Sequence, residues 1–98
     1  MRESTLERYL VRRVESIGGK APKWTSPGNR GVPDRLVILP NGITIYAEMK
    51  APGEKLSPLQ ARWARILKSM GHRIYKLDSK EDIDRFIEDV MPSEVHPT

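Results

Sequence analysis

A chain of 98 residues makes one domain with one modest core and leaves no room for a separate substrate domain. With 38% hydrophobic and 31% charged residues it is globular rather than disordered, and no apolar run approaches the roughly 18 residues of a membrane span. Seventeen Lys and Arg against thirteen Asp and Glu give a net charge of +4, which favours a polyanionic partner, nucleic acid first, while the lack of cysteine excludes disulfides and thiolate metal sites and suits a reducing, intracellular compartment.

The N-terminal stretch MRESTLERYL has no apolar core of the kind a secretory signal needs. Ser4 with Glu7 reads as a capping box. Leu6, Leu10, Val14 and Ile17 recur at helical spacing up to Gly18-Gly19, so the first helix is expected at about 5–17. Lys20 to Trp24 reads as a short edge strand, because Pro22 argues against a central one. Two Pro and two Gly make Thr25 to Pro33 a loop. Leu36–Leu39 and Ile43–Ala47 then form a hairpin, apolar on both faces and so covered on both sides. Its link, Pro40-Asn41-Gly42, fits a type I turn with a bulge at Gly42.

The strongest helix follows. Ser57 is the N-cap, Pro58 opens the first turn, Gln60 completes a capping box and Gly71 closes the end. Leu59, Trp63, Ile66, Leu67 and Met70 make its apolar stripe. HRIYKL is a further strand, and Ser79 caps a last helix with Ile83, Phe86, Ile87 and Val90 on its apolar face. Residues 92–98 read as a flexible tail after a single domain at 1–91. The crossover from Glu48 through a helix to Tyr75 implies a parallel strand pair beside the antiparallel hairpin. The expected fold is therefore α/β: a small mixed sheet flanked by helices, in the order αβββαβα.

Within this frame the second hairpin strand ends in Glu48 and Lys50, charged groups that are costly to bury without partners. If Leu39 faces Ile43, Asp34 lies opposite Glu48 on the same face. A two-residue Asn-Gly loop would instead pair Leu36 with Ala47 and separate the two carboxylates, and Pro40 favours the first register. Asp34, Glu48 and the Met49 carbonyl would offer hard oxygen ligands to a Mg²⁺-type cation, with Lys50 orienting a water or offsetting charge on phosphorus. The alternative is a solvated strand end with Asp34 as a turn residue.

GVPDRLVI followed by IYAEMKAP resembles the PD-(D/E)XK nuclease motif, with Pro33-Asp34 and Glu48-Met49-Lys50 as its two halves. More narrowly, Glu7, GVPD, EMKAPGEK and LSPLQ in this order resemble a stand-alone VRR-NUC domain of the small phage and bacterial type, over about Glu3 to Leu77. The resemblance implies a restriction-endonuclease-like core and metal-dependent cleavage of DNA, with Mg²⁺ or Mn²⁺ as cofactor. It further implies a homodimer acting on four-way (Holliday) junctions inside a bacterium or phage-infected host. A nuclease for flap, nicked or single-stranded DNA, and a non-catalytic DNA-binding module of the same fold, are the alternatives.

By the same resemblance Asp34, Glu48, Lys50 and Gln60 are catalytic, and Glu7 is a third carboxylate at or near the metal, with Glu3 as a fallback. Glu7 and Gln60 each also have a capping-box reading. Lys20, Lys23, Asn29 and Arg30 flank or occupy the loop that delivers Asp34 and are candidates to clamp a DNA backbone, as is Lys55. Arg62, Arg65 and Lys68 read as a solvated helix face. Trp24 reads as core or dimer surface, His72 as a turn cap, and His96 as part of the tail.

Overall fold

The computed structural model describes residues 3–91. The expected tail at 92–98, with His96, lies outside the described residues, as does the side chain of Glu3. Three helices and three strands follow in the order α1 (Glu3–Ser16), β1 (Arg35–Leu39), β2 (Ile43–Met49), α2 (Pro58–Ser69), β3 (Ile74–Leu77) and α3 (Lys80–Val90). The strands make one sheet in the order β1-β2-β3, with β1 antiparallel and β3 parallel to β2. This is the α/β arrangement expected from the sequence.

Helix α1 already includes Ser4, so Ser4 is not its N-cap and the expected capping box does not form there. The other end closes as the Gly-Gly pair dictates. Gly18 turns left-handed at φ 89°. Its N–H donates to the Glu15 carbonyl and that of Gly19 to Val14, so two otherwise orphaned carbonyls are satisfied.

The hairpin has the register that Pro40 favoured: Leu39 faces Ile43 and Arg35 faces Ala47. Its turn is of another type. Asn41 as well as Gly42 is left-handed, at φ 68° and 74°, where a type I turn keeps the Asn right-handed. Asn is among the few non-glycine residues that tolerate this region, and it lets the link follow the twist of the strands.

Lys20 to Trp24 runs antiparallel to β1 but pairs only as two isolated bridges, Lys20 with Ile38 and Lys23 with Arg35. The break lies at Pro22. Its carbonyl accepts the Leu36 N–H at 3.0 Å, but the ring nitrogen has no hydrogen to return.

The two sheet faces differ. Val37, Leu39, Ile45, Ala47 and Met49 point into the main core with Leu6, Leu10 and Val14 of α1 and Ile83, Phe86, Ile87 and Val90 of α3. The two helices are tied at the rim, where Asp84 accepts from Tyr9 and from Arg13. Alternation along β2 sends Tyr46 and Glu48 to the other face. There Trp24, Tyr46 and His72 form an aromatic row with ring centroids 5.4 and 5.6 Å apart, so Trp24 is half-buried in a ring contact.

Helix α2 is capped as expected, with Ser57 and Gln60 exchanging both hydrogen bonds of a capping box. Its expected apolar stripe is buried only in part, at Leu67, with Trp63 and Ile66 half-buried. Ala64 and Leu67 are buried, whereas Leu59 and Met70 are 41% and 61% exposed. Strand β3 is shorter than expected because Gly71 and His72 complete the end of α2, where the His72 N–H donates to the Leu67 carbonyl, and contact with β2 starts only at Arg73, whose carbonyl accepts the Tyr46 N–H.

Candidate active site

The site begins with a proline. Continuing the hairpin register past Arg35 and Ala47 sets Asp34 opposite Glu48 and Pro33 opposite Met49. The Lys50 N–H donates to Leu77 on β3, so the Met49 carbonyl of that peptide faces the β1 side. Pro33 has no N–H to offer it, and the ladder stops. The Met49 N–H is taken by the Asp34 carboxylate instead, N to Oδ2 at 2.8 Å. The consequence is a carboxylate seated in the strand end beside Glu48, with a backbone carbonyl that Pro33 leaves unclaimed.

Glu48 is 2% exposed, the only buried charged residue among the described residues. Such a group must be compensated. Part of that comes from α2, whose Gln60 serves two ends. Its Oε1 accepts the Ser57 N–H at 2.8 Å, and its Nε2 donates to Glu48 Oε1 at 3.4 Å. The capping reading and the active-site reading of Gln60 therefore describe one side chain. The buried side of α2 is the turn-by-turn row Gln60, Ala64 and Leu67, polar where it meets the carboxylate and apolar beyond.

Lys50 is half-buried, one strand repeat past Glu48, and makes no ion pair among the described residues. The loop that follows it is pinned by one group on β3 and one just past its end. Lys76, which lies beside Glu48 in the register, donates to the Glu54 carbonyl at 3.0 Å, and Asp78 accepts the Gly53 N–H at 3.2 Å. Lys76 was not among the expected residues; its signal was alternation along HRIYKL from a position level with Glu48.

Glu7 goes elsewhere. Arg35 shares the face of Ala47, on the α1 side of the sheet, and its guanidinium binds Glu7 Oε1 at 3.0 and 3.3 Å while donating to the Ala21 carbonyl at 2.8 Å. The Glu7 carboxylate is thus committed to Arg35. Among the described residues no three His, Cys, Asp or Glu form a group that could hold a metal ion. What the strand end offers is two carboxylates, Asp34 and Glu48, and the Met49 carbonyl. That set suits Mg²⁺ or Mn²⁺, hard cations that keep several waters and take oxygens from a substrate phosphate.

The expected basic contacts scatter. Lys20 lies beside Ile38, on the Glu48 face but about 13 Å along the strand from Asp34. Lys23 lies beside Arg35 and so faces the α1 side. Asn29 and Arg30 sit at the tip of the loop and line a cavity with α2, and Lys55 is exposed on the loop after Lys50.

No family model matches the chain. A curated relative, "Putative nuclease p44" of Acyrthosiphon pisum secondary endosymbiont phage 1, is 53% identical over 81 residues, which span 83% of this chain and 87% of the relative. A solved structure of a VRR-NUC domain superposes with a TM-score of 0.85 at 31% identity, covering 90% of this chain and 96% of that domain.

Proposed function

The chain belongs to the VRR-NUC nuclease family, and on that premise we propose that it is a Mg²⁺- or Mn²⁺-dependent endodeoxyribonuclease that cuts branched DNA, four-way junctions first, as a homodimer. The observation that carries the reading is the Asp34 carboxylate seated on the Met49 N–H beside the buried Glu48.

Each residue then has a task. Asp34, Glu48 and the Met49 carbonyl would hold the cation, which when bound lowers the pKa of a coordinated water and polarises the phosphodiester. Gln60 fixes the orientation of Glu48 and ties it to the first turn of α2. Lys50 carries the charge that orients the attacking water and offsets the charge building on phosphorus. One chain holds one site, so paired cuts across a four-way junction call for two chains related by a twofold axis.

The test is cleavage of labelled four-way, flap, nicked and linear DNA with and without Mn²⁺, with the mass in solution measured by light scattering. Metal-dependent cuts placed symmetrically about the branch, from a protein of twice the chain mass, are expected. Lys50→Ala should abolish cutting and leave DNA binding largely intact; unchanged cutting by this variant sinks the assignment. Cuts confined to flaps or nicks would redirect the substrate. Binding without cleavage of any DNA form would make the chain a non-catalytic module.

A further inference from the structure

Helix α2 has a second working side. Leu59, Arg62, Trp63 and Ile66 recur at i, i+3, i+4 and i+7, so they form one stripe next to the buried row of Gln60, Ala64 and Leu67. This stripe faces the tip of the loop that leads to Asp34. Between them lies a cavity of about 330 Å³, closed on the loop side by Gly28, Asn29 and Arg30.

The walls of this cavity are fixed to one another. At Gly31, φ 94°, a Cβ would come within 2.6 Å of the Leu59 backbone, so the loop rests directly on the first turn of α2. That same turn carries Gln60, which touches Glu48. The cavity therefore adjoins the catalytic end of the sheet.

Its chemistry is specific. Trp63 is half-buried and offers a ring. Arg30 and Arg62 are exposed and make no hydrogen bond or ion pair among the described residues, so two uncommitted guanidinium groups line the cavity together with the indole. An aromatic platform in a cavity that also holds two cations suits a base whose flanking phosphates are negative. A base in a paired duplex is stacked and cannot enter such a cavity; an unpaired one can.

We infer that this cavity is a nucleotide subsite: it takes one unpaired base of the DNA substrate on Trp63 while Arg30 and Arg62 hold the adjoining phosphates. The inference rests on the nuclease reading above and narrows its substrate to branched DNA whose opened branch point presents an unpaired nucleotide beside the cut.

Trp24→Phe leaves Trp63 as the sole indole, which gives a direct probe. Titrating this protein in Ca²⁺ with an oligothymidylate should quench its emission saturably, and added salt should weaken the binding. Arg30→Ala and Arg62→Ala should each weaken it several-fold. In the full chain Trp63→Ala should lose about tenfold in affinity for the oligothymidylate, and Trp63→Phe should recover most of it. A fully paired duplex should leave the emission unchanged.

Absence of quenching, or equal quenching by the paired duplex, overturns the subsite. Quenching that survives both arginine substitutions overturns the phosphate roles. The two readings fail separately. Wild-type cleavage without quenching removes the subsite and keeps the nuclease. Quenching with no cleavage of any DNA removes the nuclease and keeps a single-strand binding site.

Discussion

Replacing Pro33 with alanine returns an N–H to the position opposite the Met49 carbonyl. The ladder can then run one pair further and compete with the Asp34 side chain for Met49. Pro33→Ala should lower the cleavage rate in Mn²⁺ by at least about tenfold, and should also lower the melting temperature, because a buried ring is lost and the unfolded chain gains freedom; cleavage kinetics and a thermal melt check both. Glu7 separates two roles the sequence left joined. Its partner Arg35 is 13% exposed and Glu7 itself 21%. Glu7→Gln keeps the shape but loses the charge, so it should cost about 1 kcal/mol in denaturant unfolding and leave cleavage within a few-fold of the wild type. Loss of cleavage without loss of stability would return Glu7 to the metal. The Asp34–Glu48 juxtaposition was legible because strand register follows from loop length, and Pro40-Asn41-Gly42 favoured one length. Arg35 as the counterion of Glu7 was not legible, because nothing in one sequence says that a helix passes over that strand position.

Among the elements, α3 gives a pH signature. Its cap Ser79 accepts from the Asp82 N–H. Hydrogen bonding to Asp78 and then to Arg85 holds the Asp82 carboxyl below its usual range, with burial opposing. A lowered pKa in the folded state means that the stabilisation is complete above the ordinary value of 3.8 and is lost as pH falls through the lower folded value. Thermal melts between pH 5 and pH 2 should fall less steeply for Asp82→Asn than for the wild type. Helix existence and capping were readable for α2 and α3, since Ser, Pro, Gln and Gly act locally. The covered side of α2 was not. Periodicity shows which positions are apolar, whereas the sheet beneath presents Glu48, and a carboxylate selects Gln60 and small Ala64 over Leu59 and Met70. The turn type also escaped, because Asn41 is one of the few residues for which both hands are open.

At the scale of the molecule, a cation binding only the folded chain adds stability by mass action. At about a hundred times its dissociation constant the gain is about 2.7 kcal/mol. For a domain of this size that reads as a rise in melting temperature on the order of 10 °C. Mn²⁺ should produce this rise in the wild type and not in Asp34→Asn; equal rises in both would place the cation elsewhere. Apart from the strand expected at Lys20 to Trp24, which makes only two isolated bridges, the element order and the parallel crossover were readable, because each of those elements carried its own stop signal. The two-sidedness of the sheet bears on how such a chain can change. Val37, Ile45 and Ala47 face the packed core, while Tyr46 and Glu48, their neighbours by one residue, face the side that holds the chemistry. Packing and the candidate site are thus written on alternate letters of the same strand, and the DNA-facing surface lies on neither. A lineage can revise the loop tip and the outer stripe of α2 without disturbing the core, so recognition of DNA is free to drift while the fold stays still.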